Sequence, residues 1–413
     1  MASHHRVSFH LKDMHPYTQD DFPREIDEKE VARALGDRSL PKLLEVLRLE
    51  ELDESIHYHA LRYLREHVVK PLDCSKAIKA GSVPVLSNIL HRCVDVPRLA
   101  SIAAECVGRL GDSIDGGVII AESTAIFNLV RAVTLDPSIH EDSAAIETLK
   151  KESGSALQRM TTSHTGKKEL LNNVLELSDR LVKSMLSTGD DELRRSILRT
   201  LHNLALRAES LATLHEKGTV AGCVELCSSG DRESLRLTLE VLACLGNSLK
   251  GKEALVASGA IAAVAPLLMH DDAEVQAMAT RCALMASGCL PGKKQLGEVR
   301  GAVEGLCARA FDDRIDVAIS AIYAMENAGE LPQSREKIRI TLCKDLEALE
   351  DLIGVMFGVF MEGEAELEEQ VGLSLTAPTS IIRSRAICAN KCADILKGLR
   401  DEQKRLAEKD ADS

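Results

Sequence analysis

The sequence has very few aromatic residues. It contains no tryptophan, six phenylalanines and four tyrosines, so that aromatic side chains make up 2% of the 413 residues. Because 45% of the chain is nevertheless hydrophobic, the core has to be built from alanine, leucine, valine and isoleucine, which favours helices packed on helices over β-sheets. Rings for base stacking are scarce and the net charge is −13, so nucleic acid is not expected as a partner.

Long apolar runs and a dense framework of cysteines are also missing. The most apolar window, residues 254–269, is interrupted by Ser258, Gly259 and Pro266, and the N-terminus has no apolar signal-peptide core. The twelve cysteines are dispersed singly, as expected for a reduced compartment. These features predict a soluble, cytoplasmic protein with no membrane partner.

A repeat runs through most of the chain. In four segments a glycine is followed within two residues by an aliphatic residue, and looser copies extend the series, with Asn172 in place of the glycine in the fourth repeat. The resulting index residues are Leu40, Val83, Ile126, Val174, Val220, Ile261, Val303 and Leu346. Their spacings are 43, 43, 48, 46, 41, 42 and 43 residues, which is too long for ankyrin or tetratricopeptide repeats and is typical of armadillo or HEAT repeats.

Each repeat also has the same internal order. A short helix ends at the glycine, a second helix follows, then a polar and often acidic turn, and then a longer helix with periodic apolar residues, such as 197–204 or 318–325. An arrangement of three helices per repeat resembles the armadillo family. Residues 251–268 are similar to the first two helices of an armadillo repeat. An irregular helical bundle is the alternative that eight even spacings disfavour. The predicted fold is all-α, an armadillo-type superhelical solenoid of about eight three-helix repeats.

The predicted boundaries follow from this series. Residues 1–29 form an N-terminal extension and residues 30–397 form the solenoid, in which the third repeat carries an insertion near residues 136–142. The last repeat contains an acidic loop within residues 362–380, and residues 398–413 are a charged tail. The two ends of the chain would have to supply the polar caps that a solenoid requires.

No combination of residues indicates catalysis, a metal or a cofactor. The cysteine pairs Cys223/Cys227 and Cys388/Cys392 lie four residues apart but lack the further ligands that zinc needs. Gly-Lys dipeptides begin at Gly166, Gly251 and Gly292, where they mark the starts of first helices rather than a phosphate-binding loop. Asp190-Asp191 and Asp271-Asp272 suit helix capping. We therefore expect no enzyme, and a pocket of converging titratable groups would revive that class.

Protein binding is the remaining function. Armadillo solenoids present a concave surface made by their third helices, and in the nuclear-import branch a ladder of tryptophan and asparagine on these helices holds a basic peptide. Here the asparagine position is occupied by Asn203, Cys244, Met285 and Asn327, and tryptophan is absent. These four residues are the predicted groove positions. The broken ladder argues against a nuclear-import adaptor.

The N-terminal segment resembles a particular family. Four stretches are similar to the opening of the radial spoke head protein 14 family of motile cilia. They are Arg6-Val-Ser-Phe-His-Leu11, residues 34–44 (which begin Ala-Leu-Gly-Asp-Arg-Ser-Leu-Pro-Lys-Leu), His59-Ala-Leu-Arg-Tyr-Leu64 and residues 74–90. The chain departs from that family in a longer N-terminal spacer, the insertion in the third repeat and the acidic loop at 362–370.

That resemblance implies a non-catalytic structural subunit of the radial spoke. Its place would be the axoneme of the cilium or flagellum, within the cytoskeleton, and its partners would be other spoke proteins held by the groove, the edges and the termini. The alternative is a soluble cytosolic armadillo adaptor that binds peptide segments reversibly. Retention in axonemes through detergent extraction distinguishes the two.

Overall fold

A computed structural model describes most of the repeat region. The described residues are 38–49, 52–139, 141–162, 167–228, 231–312 and 314–342. Within these ranges all regular secondary structure is helical and no strand occurs. The predicted N-terminal extension, acidic loop and charged tail lie outside the described residues, as do Leu346 and the Cys388/Cys392 pair.

The helices fall into two compact units, of which the first, the N-terminal unit, extends to Met160 and includes Lys167. Its helices are α1 (Ser39–Arg48), α2 (Glu54–His67), α3 (Pro71–Lys79), α4 (Ser82–His91), α5 (Pro97–Leu110), α6 (Ile114–Glu122), α7 (Ala125–Val133) and α8 (Ser143–Thr161). They form the second and third helices of repeat 1 and the complete repeats 2 and 3.

The C-terminal unit contains Thr161, Thr162 and the described residues from Lys168 onward. Its helices are α9 (Lys168–Glu176), α10 (Ser178–Ser187), α11 (Asp191–Ala205), α12 (Leu211–Glu216), α13 (Thr219–Leu226), α14 (Arg232–Leu245), α15 (Leu249–Ala257), α16 (Ala260–Val264), α17 (Ala273–Ala286), α18 (Leu290–Glu298), α19 (Ala302–Arg309), α20 (Ile315–Gly329) and α21 (Pro332–Leu342). They make up repeats 4 to 7 and the first helix of repeat 8. The prediction of three-helix repeats is confirmed, with six complete repeats in the described part of the chain and parts of two more.

Glycine joins the first helix to the second in four repeats, as the sequence predicts. Gly81, Gly218, Gly259 and Gly301 have φ angles of 82°, 77°, 77° and 81°. This left-handed conformation is strained for residues with a side chain, and it lets the chain turn sharply between the two helices. The glycine that precedes four of the index residues is therefore a requirement of the backbone.

The fourth repeat departs from the predicted register. Val174 and Asn172 both lie inside the first helix, α9, and the second helix α10 begins at Ser178 after Leu177, whose φ is −98°. The residue equivalent to the other index positions is therefore Asp179, and the placement of Val174 and Asn172 was wrong. The spacing from Ile126 becomes 53 residues, because the inserted turn and the 19-residue α8 lengthen the third repeat.

Aspartate begins most of the third helices. Asp53, Asp190, Asp231 and Asp272 are the N-cap residues of α2, α11, α14 and α17, and each accepts a hydrogen bond from a backbone N–H of the first turn. The Asp190 carboxylate, for example, accepts from the Leu193 N–H at 2.9 Å. The capping role predicted for the Asp-Asp pairs is confirmed, and it fixes where each third helix starts.

The core is aliphatic throughout the described chain. Its buried apolar residues are leucine, valine, isoleucine, alanine, cysteine and methionine, and none of the five described phenylalanines and tyrosines is among them. Small residues bring neighbouring third helices together. A Cβ atom on Gly108 of α5 would lie 2.8 Å from the Cα atom of Ala156 of α8, so that only glycine permits this approach.

Candidate protein-binding groove

The four predicted groove residues lie in the last turns of the third helices of the C-terminal unit. These helices, α11, α14, α17 and α20, pack side by side in sequence order. Asn203, Cys244, Met285 and Asn327 therefore occupy equivalent positions on four neighbouring helices. The structure brings them into one row, but their side chains differ in what they offer to a ligand.

The two asparagines connect consecutive third helices. The Asn327 Nδ2 amide donates a hydrogen bond to Ser287 Oγ at 3.0 Å, just after the end of α17. In the same way, the Asn203 Nδ2 amide donates to Oγ1 of Thr161, a residue of the same unit, at 3.3 Å. Each amide thus already has a partner in the preceding repeat, and both side chains are half-buried.

The other two positions are occupied by packing residues. Cys244 is only 6% exposed, and burial raises the pKa of its thiol. Met285 is half-buried and covers Gly246, where an added Cβ atom would lie 2.6 Å from the Met285 Cβ. This part of the row contributes apolar surface and shape rather than hydrogen-bonding groups.

Charged residues nearer the helix starts dominate the face of the C-terminal unit. Glu233 accepts hydrogen bonds from Arg199 of the preceding third helix at 3.3 Å and from Arg236 of its own helix at 2.9 Å, and Arg236 also pairs with Glu240. The Arg236 guanidinium holds the pKa of Glu233 below its usual value. A further bridge joins Arg195 to Asp231 at 3.4 Å. The charges along these two helices therefore neutralise one another.

These charged positions were missed from the sequence. Arg199, Glu240 and Arg281 stand one helical turn before Asn203, Cys244 and Met285, on the same helix face. The signal was present, since residues four positions before a groove residue share its face. It was overlooked because the comparison rested on the asparagine position alone.

The N-terminal unit has a groove of its own. A cavity of about 690 Å³ lies between its third helices α2, α5 and α8. Its charged and aromatic lining residues are Glu54, Tyr58, His59, Arg65, Arg98, Glu105, Asp142 and Glu152. None of the site residues predicted from the sequence lies in this cavity.

Two ion pairs cross this cavity from one third helix to the next. Arg65 of α2 pairs with Glu105 of α5 at 3.3 Å, and Arg109 also contacts Glu105. Arg98 at the start of α5 pairs at 2.9 Å with Asp142, which caps α8 through the Ala145 N–H. That backbone hydrogen bond, followed by the contact with Arg98, lowers the pKa of Asp142.

The remaining candidate motifs have structural roles. Cys223 and Cys227 are buried, and burial raises the pKa of Cys227 to about 12. Among the described residues, no group of three or more histidine, cysteine, aspartate or glutamate side chains is placed to hold a metal ion. Gly251 and Gly292 lie in the first helices α15 and α18, where an added Cβ would lie 1.9 and 1.8 Å from a backbone carbonyl oxygen. Their Gly-Lys pairs mark tight helix packing, and Gly166 lies outside the described residues.

No single helix in the described ranges is long and apolar enough to cross a membrane. Two bent pairs, α6 with α7 and α15 with residues 260–269, reach the required length and composition only in combination, at angles of 82° and 71°.

Comparison with known proteins identifies the fold. No protein-family profile matches the chain, and no curated protein matches its sequence. One similar solved structure concerns a phosphorylation switch that controls the interaction between cadherin and β-catenin. The similar chain is 15% identical, with a TM-score of 0.66, and the match covers 89% of this chain and 68% of that chain. A designed armadillo repeat protein in complex with the peptide (KR)4 is 21% identical, with a TM-score of 0.51 over 60% of this chain and 99% of that one. The chain has an all-α, armadillo-type repeat fold.

Proposed function

We propose that this chain is a non-catalytic scaffold that binds other proteins. The observation that carries the proposal is the alignment of equivalent third helices, which gives the C-terminal unit a continuous face and leaves an open cavity between the third helices of the N-terminal unit, as in repeat proteins that bind extended partners. The similar solved structures concern a cadherin–β-catenin interaction and a designed protein with a bound peptide, which supports partners of the same kind. The cavity between α2, α5 and α8 gathers titratable groups, but Glu105 and Asp142 are held in ion pairs that join neighbouring helices, so the proposal assigns these groups a structural role. The proposal involves no catalytic residue, cofactor, nucleic acid or membrane.

We further propose that the scaffold is a subunit of the radial spoke in the axoneme of motile cilia or flagella. The support is the resemblance of residues 6–11, 34–44, 59–64 and 74–90 to the radial spoke head protein 14 family. The mechanism would be mechanical. Stacked helices resist bending because each repeat is packed on its neighbours, so that bound spoke proteins would be held in fixed geometry.

The test is to express a tagged chain in cells that build motile cilia and to extract the cilia in two steps. A spoke subunit stays with the axoneme through detergent and is released by chaotropic salt. Deletion of the chain should also remove or distort spokes in electron micrographs of axonemes. Quantitative release with detergent, together with normal spokes after deletion, would support the cytosolic adaptor instead.

A further inference from the structure

We propose that an acidic segment of this chain, residues 362–375, binds the edge of the C-terminal unit at which the first helices α15 and α18 begin. We call this edge the first-helix edge, and the acidic segment lies outside the described residues. The inference goes beyond the proposed function. It concerns a contact within the chain that covers one edge of the scaffold until a partner displaces it.

Exposed leucines mark the first-helix edge in three successive repeats. Leu206, Leu249 and Leu290 lie where a third helix leads into the next first helix, and they are 56%, 65% and 68% exposed. Leu249 and Leu290 are the first residues of α15 and α18, two helices that pack against each other. Single exposed leucines are common on protein surfaces, but leucines at the same place in neighbouring repeats form a patch that a bound segment can cover.

Lysines accompany these leucines, and the first turns of both helices contain no acidic residue. Lys250 is exposed and Lys252 is half-buried, and neither makes an ion pair with any residue that the structure describes. A Cβ atom added to Gly288 would lie 2.8 Å from Lys252 Nζ, which places this ammonium group beside the start of α18. Positive charge and apolar surface therefore lie side by side.

The position of these lysines is unfavourable for the helices themselves. The N-terminus of a helix carries partial positive charge, so that acidic residues stabilise the first turn and basic residues destabilise it. The third helices of the same two repeats follow this rule, with Glu233 and Glu274 in the first turns of α14 and α17. Because Lys250 and Lys252 reverse it, a negatively charged ligand explains their position better than helix stability does.

The neighbouring carboxylates do not cancel this charge. Four lysines and three glutamates lie on or beside the two helices: Lys250, Lys252, Lys293, Lys294, Glu253, Glu298 and Glu330. Glu330 pairs with Lys293 at 2.5 Å, and Glu298, at the far end of α18, pairs with Lys294 at 3.8 Å. Glu253 is exposed in the second turn of α15. The unpaired positive charge is therefore concentrated in the first turn of α15, next to Leu249.

The chain itself contains a segment of matching chemistry. Residues 345–382 hold nine acidic residues and no lysine or arginine, and five of the nine are glutamates between residues 362 and 369. Leu367, Val371, Leu373 and Leu375 provide aliphatic side chains in the same segment. The glutamates can pair with the lysines of the edge while the aliphatic side chains cover its leucines. The charged tail, residues 398–413, mixes four basic with five acidic residues and lacks this match.

The acidic segment is near enough in the chain to reach the edge. The last described residue, Leu342, ends α21, which packs on α18. The 11 residues of α21 span about 16 Å, and α18 and α15 lie about 10 and 20 Å to the side, so that the start of α15 is about 26 Å from Leu342. The linker of residues 343–361 spans about 28 Å if it is helical and about 60 Å if it is extended.

The first test is cross-linking of the full chain at low protein concentration. A water-soluble carbodiimide joins a lysine amine directly to a carboxylate that touches it, and mass spectrometry of the cross-linked monomer identifies the joined residues. We expect Lys250 or Lys252 to be joined to the glutamates of residues 362–369. Cross-links found only in dimers would show that the segment binds a second copy, and a segment joined only to other lysines would bind elsewhere. Either result overturns the proposal.

The second test measures the same contact by competition. A segment variant of the full chain carries glutamine in place of the five glutamates of residues 362–369. A fluorescein-labelled peptide of residues 360–376 should bind this variant at least about tenfold more tightly than it binds the unaltered chain. In the unaltered chain the attached segment competes for the edge at an effective concentration of the order of millimolar. Equal binding to both chains, or no binding to the variant, would refute the contact.

The edge is then altered within the segment variant. Lys250→Gln with Lys252→Gln should weaken binding of the peptide about three- to tenfold, as expected for two partly exposed ion pairs. Leu249→Ser with Leu290→Ser should weaken it about tenfold through the loss of apolar contact. Fluorescence anisotropy measures the binding, and circular dichroism verifies that all variants are folded.

Two controls match these changes elsewhere in the chain. Lys42→Gln with Lys183→Gln removes the same charge from exposed residues of the second helices α1 and α10. Val69→Ser with Leu72→Ser removes exposed apolar side chains beside α3 of the N-terminal unit. Each control should change binding less than about twofold. Losses equal to those of the edge variants would show that only net charge or general hydrophobicity matters and would overturn the proposal.

These outcomes are separate from those of the axoneme extraction. A chain that stays with detergent-extracted axonemes but gives no cross-link at Lys250 or Lys252 refutes only the contact proposed here. A chain that leaves with detergent and gives these cross-links refutes only the assignment to the radial spoke.

Discussion

Two glycines in the first helices are expected to be essential for the packing of the C-terminal unit. Gly251 of α15 and Gly292 of α18 each lie at the third position of a first helix, directly against the last residue of the preceding third helix. A Cβ atom on Gly251 would lie 1.9 Å from the Leu245 carbonyl oxygen, and one on Gly292 would lie 1.8 Å from that of Ala286. Gly116 has the same relation to Leu110 in the N-terminal unit, at 2.0 Å.

The size of the effect follows from these distances. Ordinary contact between a Cβ and an oxygen begins near 3.4 Å, so that Gly292→Ala requires the two helices to separate by about 1.5 Å. The opposing atoms belong to the backbone and cannot rotate away. Overpacking of this kind costs about 1–3 kcal/mol, and the backbone contact places it at the upper end. The higher helix propensity of alanine returns about 1 kcal/mol, which leaves a net loss of about 2 kcal/mol in the free energy of unfolding.

Thermal unfolding by circular dichroism measures this loss. A loss of about 2 kcal/mol should lower the Tm by about 4–8 °C for Gly251→Ala or Gly292→Ala, given the size of the C-terminal unit. Hydrogen exchange should show the lost protection in the helices on either side of the substituted glycine, because repeats depend mainly on their neighbours.

The control is Gly189→Ala, in the loop between α10 and α11. No heavy atom lies within 4 Å of the added Cβ atom there, and the backbone is not left-handed. This variant should leave stability unchanged or raise it by about 0.4–1 kcal/mol, since alanine restricts the unfolded chain. If Gly292→Ala behaved like Gly189→Ala, helix propensity would outweigh the contact and the explanation of the repeated glycine would be wrong.

Three further predictions concern other parts of the fold. Gly259→Ala should destabilise by about 1–2 kcal/mol from its φ of 77° alone, because no heavy atom lies within 4 Å, and Gly259→Asn should destabilise less in the same thermal assay. Burial raises the pKa of Cys106 and Cys227 to about 12, so that iodoacetamide at about pH 8 should leave both thiols unmodified in the folded chain. If mass spectrometry showed alkylation at the rate of a free thiol, the burial of these residues would be contradicted. Burial also lowers the pKa of His202 and His215 below the ordinary 6.5. As the pH falls, the unfolded chain therefore takes up protons before the folded chain does, and the free energy of unfolding declines below about pH 6.5. The double variant His202→Asn, His215→Asn should show a smaller fall in Tm between about pH 7.5 and pH 5 than the unaltered chain.

The fold could be predicted from the sequence because its signals are local. A left-handed residue needs glycine, and a helix start needs a side chain that accepts backbone hydrogen bonds. Gly218 marks a left-handed junction between two helices, and Asp190 marks the start of a helix, each by its own residue type. Four such glycines, together with aspartate caps at the starts of third helices, recur at a similar spacing and leave little choice of architecture.

The register of repeat 4 shows where local signals fail. Its first two helices are joined at Leu177, whose φ of −98° is open to any residue, so that no glycine marks the junction. The predicted index instead followed the average period and fell on Val174, inside α9. The average misled because repeat 3 absorbs extra residues before and within α8, and length added in one repeat displaces every later position until the next glycine.

The groove could not be predicted in the same way, because its character depends on which charges are paired. Arg65 and Glu105 are 40 residues apart, and Arg199 and Glu233 are 34 apart, yet each pair bridges adjacent third helices. A net charge of −13 describes the whole chain and does not show whether a given carboxylate is neutralised. Both units carry arginines and glutamates on their third helices, but among the described residues Glu54 on one face and Arg281 on the other are exposed and have no ion-pair partner. This difference in pairing arises only from the stacking of the repeats, because each of the two ion pairs above joins residues of different repeats.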